Sequence, residues 1–523
     1  MDIGPRQLRE RFAEPFAAVI RDADIAAVRL GSHSVDGLVP SAEPQLLQEM
    51  LREELGFEGV VVSDAALLRQ LIETHHLAGS KRQAAARALR AGVDAQLPDS
   101  HFFEEPLALA LKDELLESGD INTAVRRVLR LKFRLGLFDA VLVDDRSQAP
   151  AVGRTAQRQF ARKLVAQSAV LLANDGALPL QATVAQVNAE SSMVLSTTAS
   201  AICLIDCVAD ETSISAGRDR ASAASEQVTL EQELRGRIGD RVNCLTLEAK
   251  PDTKSAQQTV SQLVDAACAA DVVLVCLGTA GVKGGVAESD QQSNSGGLPE
   301  EQLELLRALA TTDAVIVGIV FGGLFDELPM LVEQSNAVLL AWLPGVAGGE
   351  ALADLLLGEA NPAGRLPVAF PRGAAEPLFP FGFGLSYSEF SYDNLQCPET
   401  VDTHGVLRLA FDVTNRSAYA ADEVVQIYAT DQVATVRRPA QQLIGFNRIS
   451  LAAGESLTCK FRIDPSQLSY FDGAMALSIE PGAVRLSIGG CAADARLTAA
   501  FRITGPQRKL SQRQIVATQV TGP

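Results

Sequence analysis

The chain has 523 residues, 47% of them hydrophobic and 21% charged, which is ordinary for a globular protein and too long for a single core. A formal net charge of −18 and a pI near 4.9 argue against nucleic acid and anionic membrane as partners, because both would be repelled. A neutral small molecule such as a sugar is indifferent to that field.

The N-terminal stretch MDIGPRQLRERFAEPF is amphipathic and charged, without the basic-then-apolar order of a secretory signal. The longest strongly apolar run, Ala314 to Leu324, is about half of a membrane span. The expectation is a soluble chain, cytoplasmic as it stands. RQLRERFAEPFAAVIRDA has helical spacing, and IAAVRL reads as a short strand. EPQLLQEMLREELGF is an amphipathic helix ended by Gly56, and the β-branched run GVVVSD suits a strand buried on both faces. SKRQAAARALRAG is a helix, VDAQLP a strand, and DINTAVRRVLRLKFRLGLFD a closing helix. A (β/α)8 barrel takes about 250 residues. Residues 1–140 hold about three of its strands and are predicted to be its C-terminal portion.

A polar, proline-containing linker follows over 141–160. Over 161–395 strand and helix patterns alternate again: AVLLAN, SAICLIDC, DVVLVCLG, AVIVGIVFG and AVLLAW are strand candidates, and PEEQLELLRALA is a helix between two of them. This predicts an α/β layer domain with a mostly parallel sheet. Over 396–523 the alternating runs LRLAFDVTN, DEVVQIYAT, SLTCKFRID and GAVRLSIGG predict a β-sandwich. The eight cysteines (203, 207, 244, 268, 276, 397, 459 and 491) form no C-x-x-C pair and lie mostly in apolar runs, so buried reduced thiols are expected.

Asp64 ends the strand GVVVSD. In α/β barrels catalytic side chains sit at the C-terminal strand ends, yet AALLRQLIE follows at once, so a helix N-cap is the competing reading. The loop after DVVLVCLG, GTAGVKGGVAESDQQSNSGGLPEEQ, is rich in Gly and Ser and carries Glu288 and Asp290. Ligands in parallel sheets bind off such strand ends, and the competing reading of either acid is a solvated surface. No G-x-G-x-x-G or P-loop occurs, so a nucleotide site has no support, and no G-x-S-x-G supports a serine hydrolase. The five histidines are scattered. His75 and His76 are adjacent rather than four apart and make no helical metal pair.

These pieces, in this order, resemble glycoside hydrolase family 3, in particular the three-domain bacterial β-glucosidases. LREELGFEGVVVSDAALLRQL resembles the nucleophile segment of that family, and AGVDAQLP its next strand. SGDINTAVRRVLRLKFRLGLFD is similar to the helix closing its barrel domain, and SAVLLANDGALPL to the opening of its second domain. LLAWLPGVAGGEALADLLLGEANPAGRLPVAFPR with PLFPFGFGLSYSEF is the most specific match, and VVQIYATDQVATVRRPAQQLIGFNRISLAAGES resembles its fibronectin type III-like domain. The resemblance covers nearly the whole chain and implies an N-terminally truncated member.

It also implies retaining hydrolysis of terminal β-D-glycosyl residues by two carboxylates about 5–5.5 Å apart. Asp64 takes the nucleophile position and Glu288 the acid/base position, with Asp290 as second choice. Neither cofactor nor metal is implied. The implied ligand is a β-glucoside or short oligosaccharide. Departures accompany the match: no Lys-His pair occurs, Ala65 follows Asp64 where an aromatic or His is usual, and the 288–299 loop has no arginine. In some relatives a carboxylate shortly after the nucleophile is proposed as acid/base. The nearest positions here are Gln70, which cannot serve, and Glu73. The alternative reading is a catalytically impaired remnant that binds carbohydrate or a partner, or one half of a split enzyme. Its open half-barrel would invite self-association or a separate N-terminal half.

Overall fold

The structure is a computed structural model and describes residues 3–98, 101–139, 155–180, 202–206, 228–246, 253–278, 297–323, 326–371 and 377–513. It divides into two compact units, residues 1–150 with 470–478, and residues 151–469 with 479–523.

In the first unit, β1 (Ala27–Arg29), β2 (Val60–Ser63) and β3 (Ala95–Gln96) form a parallel sheet in that order. The helix Lys81–Ala91 supplies small residues to the core beside this sheet. Ser80 caps it by accepting from the Gln83 N–H, and Gly92 closes it at φ 116°, a left-handed conformation that glycine adopts without strain. Ala84, Ala85 and Ala88 are fully buried, in one core with Val28 of β1 and Val61 of β2. A Cβ at Gly92 would stand 2.9 Å from Gln48 Nε2 on the earlier helix Gln45–Glu54. Val61, Leu68, Leu71 and Val93 complete this core without solvent contact. The helical run Pro5–Gln7, Leu8–Ala13, Glu14–Ala23 is held by a segment far along the chain. Arg6 donates to the Phe471 and Asp472 carbonyls at 2.7 and 2.9 Å, and the Phe471 N–H donates to Glu10 at 2.8 Å.

The second unit contains a six-stranded sheet: β4 (Val170–Asn174), β5 (Ile202–Asp206), β6 (Val242–Thr246), β7 (Val272–Gly278), β8 (Val315–Phe321) and β9 (Ala337–Trp342). Their spatial order is β4-β9-β8-β7-β5-β6, and all pairs are parallel except β4 with β9. All seven residues of β7 are buried. Val273, Val275 and Leu277 enter one core with Leu305 and Leu331, while Val272, Leu274 and Cys276 enter the other with Leu234 and Leu352. Burial on both faces is why DVVLVCLG is apolar without alternation. The chain passes from β5 outward to β6 and returns to β7 on the other side of β5. The strand order therefore reverses between β5 and β7, a switch point of the kind where α/β sheets bind ligands.

The same unit ends in a sandwich of three strands (Phe390–Gln396, Leu407–Asn415, Ser456–Ile463) facing five (Thr400–Asp402, Leu497–Thr504, Gly482–Gly489, Ala421–Asp431, Gln442–Leu451). Leu407, Leu409, Phe411 and Val413 alternate inward as the sequence pattern requires. Phe411 stacks on Phe461 with centroids 5.6 Å apart. Phe390–Gln396 and Leu497–Thr504 are strands that alternation alone did not single out. The most specific sequence motif lies where the α/β layer meets the sandwich. A Cβ on Gly364 would fall 2.3 Å from the Ala169 carbonyl, and one on Gly382 would fall 2.0 Å from Gln426 Oε1. Arg365 donates to Glu423 at 2.9 Å with both side chains buried, and the Tyr392 hydroxyl donates to the other Glu423 oxygen at 2.8 Å.

Candidate functional site

Asp64 directly follows β2, at its C-terminal end. It is also the N-cap of the helix Ala65–Glu73, with extended backbone and Oδ1 accepting from the Leu67 N–H at 2.8 Å. A strand-end position and an N-cap therefore coincide in this residue. The strand delivers the carboxylate to the C-terminal end of the sheet, and the cap fixes its rotation by satisfying one helix donor. Its other oxygen, Oδ2, accepts from Arg29 Nη2 at 2.9 Å. Arg29 is the last residue of β1, and its neighbour in the sheet is Val62. The pairing of β1 with β2 thus brings cation and carboxylate together. The Asp64 side chain is 22% exposed and that of Arg29 61%. Sequence reasoning missed Arg29, because two residues 35 positions apart become neighbours only through strand register.

Glu73 is excluded as the second carboxyl group. It ends the helix that Asp64 begins, nine residues on, so the two lie about 13 Å apart along the helix axis. Retaining chemistry needs about 5–5.5 Å. Glu288 and Asp290 lie outside the described residues. The root of their loop is well defined: β7 ends at Gly278, and Gln302, 3% exposed, binds both the N–H and the carbonyl of Gly278, at 3.1 and 3.0 Å. At the other end the Leu298 N–H donates to Glu327 at 3.1 Å. β7 therefore ends beside the switch point, and the described chain resumes at 297, just ahead of the helix Glu300–Leu309. Gln302 was not foreseen, since a glutamine early in an amphipathic helix carries no signal of its own.

Asp94, before β3, serves the opposite end of the sheet. Its buried carboxylate accepts from Arg52, Arg127 and the Val61 N–H at 2.7, 2.9 and 2.9 Å. Such a charge network at the N-terminal strand ends belongs to stability rather than chemistry. Among the described residues no three His, Cys, Asp or Glu side chains are arranged to hold a metal ion, and no helix is long and apolar enough to cross a membrane. Of the seven described cysteines Cys203, Cys276, Cys459 and Cys491 are buried and Cys268 is exposed.

A partial parallel barrel, a doubly covered α/β sheet and a fibronectin-like sandwich, with an acid at a barrel strand end, define a multidomain glycoside hydrolase architecture. Residues 1–131 match the Glycosyl hydrolase family 3 N terminal domain, 169–387 the Glycosyl hydrolase family 3 C-terminal domain, and 423–492 the fibronectin type III-like domain. The chain belongs to glycosyl hydrolase family 3. It is 28% identical to a periplasmic β-glucosidase of Salmonella typhimurium, over 94% of this chain and 69% of that protein. It is 28% identical to a β-xylosidase of Formosa agariphila, over 93% and 70%. Among solved structures, a β-glucosidase from Listeria innocua superposes with a TM-score of 0.81 at 25% identity, over 97% of this chain and 71% of that one. A β-glucosidase from Erythrobacter marinus gives 0.79 at 27%, over 96% and 71%. These similarities support glycoside hydrolase function and do not favour the reading of an idle binding module.

Proposed function

We propose that this chain hydrolyses terminal β-glycosyl residues with retention, Asp64 attacking the anomeric carbon and Glu288 serving as acid and then base, with Asp290 the second choice. The observation that carries this reading is the position of Asp64, presented at the C-terminal end of β2 and oriented by the Leu67 N–H. In the first step the Asp64 carboxylate bonds to C1 as the glycosidic bond breaks, and the acid gives its proton to the departing oxygen. In the second the same group, now a carboxylate, takes a proton from water, whose oxygen displaces Asp64. Complexes of the Listeria innocua β-glucosidase with laminaribiose and with glucose support a β-glucoside or short oligosaccharide as the substrate class.

Three strands line less than half of an eight-stranded barrel. A full sugar pocket in this reading needs further β/α units, of the same polypeptide, a separate N-terminal half or a second copy. Phe12, Phe16 and Val19, about 39–45% exposed at helical spacing, support an association of this kind. The domain division proposed is a partial barrel over 1–140, a linker over 141–160, the α/β layer over 161–395 and the sandwich over 396–523, with the sandwich's first strand reaching back to Phe390.

The test is an aryl β-glucoside assay of the chain, alone and with added barrel segment, followed by 2-fluoroglycoside trapping and mass spectrometry. The reading requires turnover that Asp64→Asn abolishes and a glycosyl adduct on Asp64. Turnover that survives Asp64→Asn, or an adduct elsewhere, overturns the assignment.

A further inference from the structure

At the opposite ends of the same strands the first unit carries a basic notch of about 330 Å³ that glycoside hydrolysis does not use. Its walls include Arg52, Phe57, Glu58, Arg126, Arg127 and Arg130. Phe57 and Glu58 lead into β2, whose far end carries Asp64, so the strand's four residues put about 13 Å between notch and carboxylate. Arg126, Arg127 and Arg130 recur at helical spacing on the helix Ser118–Arg134 and therefore share one face.

The charge there runs against that of the whole chain. Four guanidinium groups meet two carboxylates. Asp94 is shared by Arg52 and Arg127, and Glu58, 83% exposed, touches Arg130 at 3.4 Å. Two positive charges are left over in a protein whose net charge is −18. Donors are left over too. The Arg52 side chain is only 8% exposed, yet its Nε has no hydrogen-bond partner. Arg126 has no ion-pair partner among the described residues. Burial lowers the pKa of Arg52; Asp94 opposes that shift and the neighbouring Arg127 adds to it. A buried cation beside a second cation, with an unsatisfied donor, is stabilised by an added anion.

We propose that this notch is a binding site for a phosphate dianion, free or borne by a hexose phosphate. Two excess charges match a dianion, guanidinium forks match its tetrahedral oxygens, and the volume lies at the lower end of ligand-sized pockets, ~300–1,000 Å³. Arg126 and Arg130 are the readout, because neither takes part in the buried Asp94 network.

The experiment is calorimetric titration of the full chain at constant ionic strength with inorganic phosphate, glucose 6-phosphate and glucose. Saturable binding of phosphate is expected. Arg126→Ala and Arg130→Ala should each weaken it about tenfold, and the double variant should abolish it while melting at the wild-type temperature in phosphate-free buffer. Tighter binding of glucose 6-phosphate than of phosphate assigns the site to the ester, and equal binding assigns it to the free ion; both uphold a dianion site. A phosphate Kd weaker than about 1 mM, binding retained in the double variant, or displacement of glucose 6-phosphate by glucose overturns the proposal.

Discussion

Arg29 Nη2 lies 2.9 Å from Oδ2 of Asp64, so the last residue of β1 grips the acid that follows β2. With the Leu67 N–H on Oδ1, both oxygens of the carboxylate are engaged and its plane is set. A pair this exposed contributes little to stability, at most about 1 kcal/mol. Its effect falls on orientation.

Arg29→Met should therefore leave the melting temperature nearly unchanged and lower turnover of an aryl β-glucoside about tenfold, with a smaller change in KM, because a carboxylate free to rotate spends less time aimed at the anomeric carbon. Steady-state kinetics beside thermal melts check this. A variant with wild-type turnover removes Arg29 from the site.

Asp64→Asn and Asp64→Ala separate chemistry from capping. Asparagine caps a helix as well as aspartate does, so Asp64→Asn should stay within about 1 kcal/mol of wild-type stability. Asp64→Ala should lose about 1 kcal/mol more through the vacated Leu67 N–H. Both should be inactive. Urea denaturation of the two variants reads the cap, and the assay reads the nucleophile.

The Arg365–Glu423 pair should behave quite differently, since the two side chains are 10% and 2% exposed. Arg365→Met or Glu423→Leu alone leaves a buried charge uncompensated and should cost about 3–5 kcal/mol. The double variant should cost clearly less than the sum of the two, and a double-mutant cycle from denaturant unfolding measures the difference. Additivity would mean that the two charges are held by other groups.

The pH dependence of stability should fall on the alkaline side. Burial raises the Cys203 and Cys459 thiols to about 11, with Asp412 adding to the effect at Cys459. The unfolded thiols ionise near pH 8.5. Above that pH the unfolded chain holds fewer protons than the folded one, so stability declines from about pH 9 up to the folded values near 11. Each thiol contributes a slope of about 1.4 kcal/mol per pH unit. Burial also raises the tyrosines Tyr387, Tyr392 and Tyr428, which steepen the decline above about pH 10. Thermal melts from pH 8 to 11 check the sign, and Cys459→Ala should flatten the curve.

The local elements were legible because each rests on a period or a stop signal inside a short window. GVVVSD and DVVLVCLG are strands buried on both faces, Gly92 stops an alanine-rich helix, and LRLAFDVTN alternates. The acid at a strand end was legible for the same reason, since Asp64 is adjacent in sequence to the strand that presents it. The glycine-rich motif around Gly364 and Gly382 could be matched but not explained, because its cause is a backbone contact with Ala169 and a side-chain contact with Gln426.

What the sequence determined by itself is therefore what depends on near neighbours: the strands and helices, the order of the three domains, and the residue at the end of β2. What only the tertiary structure decided is what joins distant residues. Strand register set Arg29 on Asp64, and sheet order put the C-terminal end of β7, at Gly278, beside the reversal between β5 and β7. Helix packing turned Arg52 and Arg127 toward one buried Asp94, and residues 470–478, within the β-sandwich's sequence range, belong to the first unit, where they hold Arg6 and Glu10. Periodicity records which face of an element is apolar. It carries no term for which polar side chains meet across that face, and a single hydrogen bond between residues hundreds of positions apart leaves no repeat in the chain to read.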